Sequence, residues 1–440
     1  MYGRVTSIVL FFSSPRTIMP RWESKSMLRK AIRLFRRVWY RLPLDGSGVF
    51  SWGPWPGRIF GKVAARDFWR RTAPSGRWVL LPMARCIWLV ACPVLAVQQG
   101  FRRQAPLRDI CAAVWLGWTS GKPPACALLH RALAGEHKNR LAVADSIPGD
   151  RTGVLLLAAV GSSADMKLAS DKFAMASQIL ALGLPGPRTL AVLQRGEVPD
   201  LTTPVWTSGK ALLVKPCHGG AARGIFTVFY AGGQQFVVKG HTSVSSQELA
   251  QRLMAAASRD TVLVQEWIGP APEMEDLSPC AAPVFRVFVL RPAPGEAPYV
   301  VSAMLKVLPP GLDAPQGVDE LLLMPVNPET GVLDDGILLS QPAVRWQYSP
   351  WGGGPIRGRW LRQWTETREM AEAASQLLPG TPLIGWDILL GPAGPVILEA
   401  NTGISVFRSM LRHFEQGTTS PVPVSLLRWC LSRSRRSHHA

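Results

Sequence analysis

The sequence has little acidic charge in its first third and no cysteine pattern that would indicate a disulfide framework or a zinc site. Residues 1–140 contain 24 Lys or Arg residues against 5 Asp or Glu residues, whereas residues 141–440 contain 25 of each. The seven cysteines are odd in number and show no C-x-x-C spacing. We therefore expect a basic segment joined to a neutral globular part, and the cysteine usage favours a reducing cytoplasm.

The sequence also lacks an uninterrupted apolar run long enough to cross a bilayer. The best candidate, residues 79–97, is interrupted by Arg85 and two prolines, so its apolar part falls short of the ~20 residues that a spanning helix needs. We expect a docked or interfacial helix there, with a span as the less favoured alternative. The apolar run at residues 8–12 is too short for a secretory signal peptide.

Residues 24–41 predict an amphipathic helix with a basic face. Leu28, Ile32, Phe35 and Trp39 recur at helical spacing. The remaining positions hold five basic residues, Arg29, Lys30, Arg33, Arg36 and Arg37. Such a helix suits an anionic membrane surface, and packing against a core or binding of nucleic acid are the alternatives. We do not favour nucleic acid, because no helix-turn-helix or base-stacking pattern accompanies the charge.

Two common phosphate-binding motifs are absent, the G-x-x-x-x-G-K-[ST] loop and the G-x-G-x-x-G turn. A different glycine-rich loop does occur, where a predicted strand at residues 211–216 carries Lys215 and is followed by Gly219 and Gly220. Backbone N–H groups of such a loop can approach a phosphate, and the lysine adds positive charge. The loop is a candidate phosphate site or, alternatively, an ordinary glycine-rich hairpin.

Residues 383–401 are the most informative stretch, because they predict a β-hairpin that carries three metal-ligand side chains. If the loop is symmetric, Asp387 lies opposite Glu399, and Asn401 points to the same face. Facing carboxylates repel each other, and a bound Mg²⁺ would remove that penalty. Gly385, opposite Asn401, would leave room for a ligand. The alternative is an ordinary hairpin whose acids face water.

A second predicted hairpin, formed by residues 284–290 and 299–308, carries cations. If it is symmetric about Glu296, Arg286 faces Lys306. Two cations paired in apolar strands are costly unless an anion lies between them, and a phosphate or acyl phosphate is the candidate anion. The alternative is that both side chains extend to water.

The remaining predicted elements flank these units. Apolar residues predict a strand over residues 153–160 and a helix over residues 171–182 that Ser170 or Asp171 caps. Helices are expected over residues 84–135.

Residues 261–268 predict a buried strand whose end carries Gln265 and Glu266. The edge of this strand could offer polar groups to a purine, with Glu266 or Glu273 near the sugar.

Taken in order, these units resemble the ATP-grasp superfamily, and most closely its branch associated with sugar transfer and cell-surface polysaccharide genes, related to alpha-L-glutamate ligases. The resemblance covers roughly residues 100–412. The motifs that carry it are Asp171-Lys172 with Gly-Leu-Pro-Gly-Pro at 183–187, Lys215-Pro216, Val-Gln-Glu-Trp-Ile at 264–268, Phe-Arg-Val at 285–287, Gly-Trp-Asp at 385–387 and Leu-Glu-Ala-Asn at 398–401. Each motif is short, and their order makes the match more specific than any single motif.

The resemblance implies an α+β ATP-grasp fold, in which two α+β subdomains hold ATP between them, preceded by a basic helical N-terminal region. It implies that Lys172 and Lys215 bind the phosphates, beside the loop of Gly219 and Gly220. The strand with Gln265 and Glu266 would lie along the adenine.

The resemblance also implies the catalytic groups. Asp387, Glu399 and Asn401 would hold one or two Mg²⁺ ions. Arg286, with Lys306 nearby, would neutralise the transferred phosphate or the acceptor carboxylate.

The reaction class that the resemblance implies is phosphoryl transfer from ATP to a carboxylate, followed by attack of an amine or similar nucleophile on the acyl phosphate. The enzyme would be an ADP-forming carboxylate–amine or carboxylate–thiol ligase that acts in cell-surface polysaccharide biosynthesis, with carboxylate, amine or glycan substrates. The alternative is a non-catalytic ATP-binding scaffold or sensor in a polysaccharide assembly complex. Residues 317–326 depart from the branch pattern in the acceptor region, so the acceptor stays open, as does the oligomeric state.

The expected organisation has four parts. Residues 1–80 form a basic, partly disordered segment that includes the helix at 24–41, and residues 81–150 form a helical region. Residues 151–415 form the ATP-grasp domain, and residues 416–440 form a basic C-terminal tail. We expect a cytoplasmic protein, or one held peripherally on the inner face of the membrane.

Overall fold

A computed structural model describes residues 77–135, 138–147, 150–219, 224–238, 243–278, 283–309, 321–416 and 418–436. The helix predicted over residues 24–41 lies outside the described residues, and so does Gly220. Residues 317–320 of the divergent acceptor segment also lie outside them.

The helices of the described residues precede, connect and follow the strands. They are α1 (Arg77–Arg102), α2 (Leu107–Ser120), α3 (Pro124–Ala134), α4 (Lys138–Ser146), α5 (Asp150–Val160), α6 (Ser163–Ser170), α7 (Lys172–Ala181), α8 (Pro204–Thr207), α9 (Ser246–Ala257), α10 (Trp364–Ala374), α11 (Val406–Ser409), α12 (Leu411–Gln416) and α13 (Val422–Arg436). Short 3-10 turns occupy Pro272–Met274 and Ser375–Leu377.

The strands form two six-stranded sheets with separate apolar cores. The small sheet has the order β1-β6-β2-β3-β4-β5. Its strands are β1 (Thr189–Leu193), β2 (Leu212–Pro216), β3 (Phe226–Gly232), β4 (Gln235–Val238), β5 (Ser243–Ser245) and β6 (Val262–Glu266).

The large sheet has the order β10-β9-β8-β7-β11-β12. Its strands are β7 (Val284–Leu290), β8 (Tyr299–Val307), β9 (Leu322–Val326), β10 (Ile337–Leu338), β11 (Leu383–Gly391) and β12 (Gly394–Asn401). All pairings between these described strands, in both sheets, are antiparallel. The predicted α+β class is confirmed.

The large sheet is covered on both faces, which explains the near-continuous apolar sequence of its central strand. All nine residues of β11 are buried. Trp386 packs on one face in a cluster that includes residues of α10. Leu383 and Phe288 pack on the other face with residues of α5 and α13. Because side chains alternate along a strand, Asp387 projects to the same face as Leu383.

The prediction of a strand over residues 153–160 is wrong, because this segment belongs to the helix α5. Leu156, Leu157 and Val160 lie on one helical face and are buried in the cluster beneath the large sheet. A short apolar run does not distinguish a strand from a buried helix. The leucines and alanines of this run have high helix propensity, and that preference decides the outcome.

The register of the β11–β12 hairpin is as predicted at the polar end. Asp387 pairs with Glu399 and Gly385 pairs with Asn401. A bulge follows Asp387, so that the pairing shifts by one residue and closes at Gly391 and Gly394. The predicted juxtaposition of the two acids is therefore confirmed.

The register of the β7–β8 hairpin differs from the prediction by two residues. Val284, not Arg286, pairs with Lys306, and Arg286 pairs with Met304. The assumed symmetric loop is wrong because the pairing contains a bulge between Phe288 and Val289 and the loop is eight residues long. A shift of two residues keeps side chains on their original face, so Arg286 and Lys306 still share one face of the sheet.

Within the described residues, no single helix has the length and apolar composition to cross a membrane, although the bent pair Thr152–Val160 and Ser163–Ser170 passes that test when taken together.

Candidate functional site

The site on the large sheet is organised around the buried carboxylate of Asp387. Its Oδ1 accepts hydrogen bonds from Arg286 Nε at 2.6 Å and from Lys306 Nζ at 2.8 Å. Its Oδ2 accepts from Arg286 Nη2 at 2.8 Å. The predicted phosphate between the two cations is thus replaced by a carboxylate of the protein. A bidentate arginine pair of this kind is a strong and geometrically specific contact.

The electrostatics of this cluster follow from its burial. Burial alone would raise the pKa of Asp387, but the neighbouring Arg286 and Lys306 outweigh it and hold that pKa well below its usual range. Burial lowers the pKa of Lys306, although the charge of Asp387 opposes this. Asp387 is therefore ionised at neutral pH and already neutralised by the protein.

Gly385 gives the guanidinium of Arg286 the space that it needs. A Cβ atom at this position would lie 2.9 Å from Arg286 Cδ and 3.0 Å from Ile404 Cγ2. Real Cβ contacts are longer, so any side chain here would displace Arg286. The prediction that Gly385 leaves room for a ligand is wrong, because a side chain of the protein fills that space.

Glu399 and Asn401 complete the polar end of the hairpin. The Asn401 Nδ2 donates to Asp387 Oδ2 at 3.4 Å and to Glu399 Oε1 at 3.3 Å. Burial raises the pKa of Glu399, and the negative charge of Asp387 raises it further. Glu399 is therefore the acid of the pair that lacks a full counter-charge.

The donor set of these three side chains fits a hard divalent cation. Two carboxylates and one amide supply the oxygen ligands that Mg²⁺ prefers. A cation beside Glu399 would remove the repulsion that raises its pKa. Asp387 is the less available ligand, because Arg286 and Lys306 already occupy its oxygens.

The small sheet contributes Lys215 near the end of β2. Lys215 pairs with Leu263, and Leu213 pairs with Gln265, so Lys215 and Gln265 share the face opposite the core residue Val214. Burial lowers the pKa of Lys215 to about 8, while the charge of Glu399 opposes the shift. The ammonium of one sheet thus interacts with the carboxylate of the other.

Lys172 lies at the start of α7, where Asp171 is the cap. The Asp171 Oδ1 accepts from the backbone N of Ala174 at 2.9 Å, as predicted for this helix start. The Lys172 Nζ donates to the carbonyl oxygens of Gly219 at 2.7 Å and Cys217 at 3.4 Å. Gly219 has a φ of +94°, which favours glycine. Lys172 therefore fastens the glycine loop to α7. Its positive charge also lowers the pKa of Glu399, although burial raises that pKa by more.

Sequence reasoning missed the contacts that hold the base of this loop. The backbone N of His218 donates to Asp260 Oδ2 at 2.7 Å, and His218 Nδ1 lies 2.8 Å from Asp260 Oδ1. The Cys217 Sγ donates to Asp171 Oδ1 at 3.2 Å. Asp260 lies just before β6, and only the pairing of β6 with β2 brings it beside the loop.

Gln265 and Glu266, the two residues predicted along the adenine, lie on opposite faces of the small sheet. Gln265 is fully buried on the face of Lys215, its Nε2 donates to Thr189 Oγ1 at 3.1 Å, and its Oε1 is buried without a hydrogen-bond partner in the described part of the chain. Glu266 pairs with the core residue Leu212 and so lies on the other face. Its side chain is 44% exposed, with Lys210 at 3.9 Å. The site therefore includes Gln265, and Glu266 is directed away from it.

The described residues thus bring together two cations, Lys172 of α7 and Lys215 of the small sheet, with acids of the large sheet. Lys172 and Lys215 interact with Glu399, and Glu399 adjoins the cluster of Asp387. Such an arrangement suits a polyanion bound together with a divalent cation.

A family model described as sugar-transfer associated ATP-grasp matches residues 157–412. The chain belongs to this ATP-grasp family. The match contains both sheets and all the site residues above, and it confirms the resemblance that the order of motifs indicated.

Solved structures similar to this ATP-grasp protein include three ligases. The ATP-grasp ligase PsnB complexed with its minimal precursor shares 17% identity over 62% of this chain and 63% of its own, with a TM-score of 0.34. The D-Ala:D-Ser ligase VanG from Enterococcus faecalis shares 15% identity over 66% and 68%, with a TM-score of 0.39. The D-alanine–D-alanine ligase from Bacillus anthracis complexed with ATP shares 12% identity over 63% and 71%, with a TM-score of 0.38.

The ATP-grasp protein therefore spans less than two thirds of the PsnB chain. A comparison with curated protein sequences found no match.

Proposed function

We propose that this ATP-grasp protein is an ATP- and Mg²⁺-dependent ligase that activates a carboxylate as an acyl phosphate. The observation that carries the proposal is the cluster in which Lys172 of α7 and Lys215 of the small sheet interact electrostatically with Glu399 of the large sheet, which adjoins Asp387. Buried charges are costly unless they are paired or bind a ligand. Folding alone therefore does not explain why charged side chains are gathered between the two sheets, and a bound ligand does. The family description supports ATP as that ligand.

The proposed reaction has two steps. A carboxylate oxygen attacks the γ-phosphorus of ATP, the bond to ADP breaks, and an acyl phosphate forms. An amine, or alternatively a thiol, then attacks the acyl carbon, and phosphate leaves with its electron pair. Positioning and charge neutralisation supply most of the catalysis in phosphoryl transfers of this kind.

Each site residue has a proposed role in this reaction. Lys172 and Lys215 hold the phosphates, and the neighbouring anion restores the charge of Lys215, whose pKa burial lowers to about 8. Gln265 would accept a hydrogen bond from the base through its Oε1, which is buried without a hydrogen-bond partner among the described residues. Arg286 and Lys306, held in place by Asp387, stabilise charge on the transferred phosphoryl group or the acceptor carboxylate.

The proposed metal ligands are Glu399, Asn401 and Asp387, for one or two Mg²⁺ ions. When bound, Mg²⁺ would neutralise charge on the phosphates. Glu399 is the strongest candidate, since burial and the negative charge of Asp387 raise its pKa and, unlike Asp387, it has no ion pair with Arg286 or Lys306 in the described part of the chain. Rotation of the Asn401 amide would direct its oxygen to the same place.

The sugar-transfer association in the family description supports an acceptor that belongs to glycan metabolism. We propose carboxylate and amine or glycan substrates within cell-surface polysaccharide biosynthesis. The cytoplasm, or the inner face of the membrane, is the compartment in which ATP would be supplied to such an enzyme.

Trapping of the acyl phosphate tests the proposal. In this assay hydroxylamine takes the place of the amine nucleophile. Mg-ATP is supplied together with candidate carboxylates, which are sugar acids and amino acids. The hydroxamate and the ADP that form are measured in the same reaction. We expect equal amounts of the two products and none from Glu399→Gln, whereas Lys167→Ala, an exposed lysine outside the site, keeps the activity. Formation of ADP without hydroxamate would contradict carboxylate activation.

A non-catalytic ATP-binding scaffold is the second candidate, and one observation favours it. Asp387 is already fully neutralised by Arg286 and Lys306, as would suit a structural cluster. The scaffold predicts ATP affinity that is the same with and without Mg²⁺, whereas the ligase predicts affinity that requires the cation. Titrations with and without a chelator separate the two.

A further inference from the structure

The helical hairpin of α1 and α2 carries an exposed apolar face that the proposed ligase function does not use. Residues 86–101 of α1 contain no charged side chain. Trp88, Cys92 and Ala96 form its buried stripe, and Trp88 Nε1 donates to the carbonyl of Gly117 in α2. A helix packed on one side normally carries charged residues on the other, so the apolar outer side needs an explanation.

The outer side forms a continuous stripe. Val90, Val94, Val97 and Phe101 lie at i, i+4, i+7 and i+11, and their exposed fractions are 70%, 58%, 44% and 78%. The neighbouring helix α2 adds two exposed apolar residues to the hairpin, Leu107 and Trp115. Contiguous exposed apolar surface on a protein marks an interaction site.

The charge beside this stripe is of one sign. Arg102 and Arg108 are exposed next to Phe101 and Leu107 in the sequence. The nearby acid, Asp109, is buried and lies 2.9 Å from Arg131. The described end of the hairpin therefore presents exposed arginine side chains, while the described acid of this end, Asp109, is buried.

We propose that this face, Val90, Val94, Val97, Phe101, Leu107 and Trp115 with Arg102 and Arg108, docks on an anionic lipid surface. An apolar stripe about 17 Å long, from Val90 to Phe101 at ~1.5 Å per residue, can lie in the plane of the interface with the arginines among lipid headgroups. Trp and Phe suit the boundary between headgroups and acyl chains.

Charge decides between lipid and the other occupants. A second copy of the hairpin would bring further arginines against Arg102 and Arg108, and the basic segment 24–41 would do the same. Like charges in an apolar contact oppose association. Anionic headgroups supply the complementary sign, which neither of those occupants does.

The experiment is flotation of the full chain with vesicles of phosphatidylcholine, with or without phosphatidylserine. We expect binding only to the mixed vesicles. Val94→Glu/Phe101→Glu should weaken it about tenfold or more, since each change replaces an inserted apolar group with a repelled anion, and Arg102→Glu/Arg108→Glu should do the same. The matched control Val198→Glu/Val344→Glu places the same charges at exposed valines of other regions and should bind as the wild type does.

Light scattering and Mg-ATP titration of each variant complete the test. Retained nucleotide binding shows that a variant is folded, and a charge variant that loses nucleotide binding is replaced by Val94→Ser/Phe101→Ser. Wild-type vesicle binding by folded stripe variants would overturn the proposal. The proposal would also be overturned if light scattering showed that these variants change from dimer to monomer while they still bind vesicles. The stripe would then be a contact between two copies of the chain.

Discussion

Among single residues, Asp387 combines two roles that the sequence suggested were separate. The pattern predicted an acid for a metal and two cations for a phosphate, and the structure joins them through three hydrogen bonds. The residue types, the shared face and the pairing with Glu399 could be predicted from side-chain alternation. The bidentate contact of Arg286 with its cross-strand partner Asp387 and the reach of Lys306 across β7 could not be predicted, because they depend on rotamers and on the space over Gly385.

Removal of the Asp387 carboxylate should destabilise the fold as well as the site. Asp387→Ala leaves the largely buried Arg286 and Lys306 without the carboxylate to which both donate, and breaking a buried pair costs about 3–5 kcal/mol. Urea unfolding measures the change. Because the folded-state pKa of Asp387 is lowered, its contribution is present at neutral pH and is lost as the pH falls through that value.

The control for this prediction is Glu266→Ala. Glu266 is 44% exposed and lies 3.9 Å from the 70% exposed Lys210, and an exposed pair of this kind is worth about 0–1 kcal/mol. Equal losses of stability in the two variants would contradict the anchoring role of Asp387.

Lys215 should give nucleotide binding a characteristic pH dependence. Burial lowers its pKa to about 8 in the free protein, so its charge is lost above that pH and must be regained when phosphate binds. Affinity for Mg-ATP should then fall by up to about tenfold per pH unit above pH 8. Arginine stays charged, so Lys215→Arg should remove the fall, whereas Lys167→Ala should keep it. A slope unchanged in Lys215→Arg would rule out this residue as its source.

At the scale of elements, loop length determined which hairpin could be predicted. The turn of β11–β12 is short and leaves little freedom, so the pairing of Asp387 with Glu399 followed from the sequence. The eight-residue connection of β7–β8 and its bulge leave the register to tertiary contacts, among them the bond that Arg291 Nη2 donates to the carbonyl of Ser375. The sequence therefore predicted that Arg286 and Lys306 share one face of the sheet, but not which residues pair with them.

A side chain should be tolerated at Gly403, just after β12, and not at Gly385 of β11. Gly385→Ala forces Arg286 and Ile404 aside and should cost about 1–3 kcal/mol. Gly403→Ala meets Val154 Cγ1 at an ordinary 3.5 Å and is the matched control. Thermal unfolding together with Mg-ATP titration measures both effects. Equal stability of the two variants would show that the hairpin can move to accept the methyl group.

At the scale of the whole molecule, the order of short motifs predicted two α+β subdomains with a charged junction. Local patterns did not place Asp260 beside the glycine loop, direct Glu266 away from the site, or make α5 a helix under the large sheet. The placement of all three depends on which distant segments pack together, although the helical form of α5 itself follows from local propensity. Such contacts are long-range and leave little trace in the periodicity of one sequence.

The most direct test of the two-sheet site is calorimetric titration of Mg-ATP into the full chain. The wild type and Lys167→Ala should bind equally. Lys215→Ala should bind about tenfold or more weakly, because a charge-assisted contact of roughly 1.5–3 kcal/mol is lost. Glu399→Gln should lose the dependence on Mg²⁺. No binding by a folded wild type, or equal binding by Lys215→Ala, would contradict a nucleotide site between the two sheets.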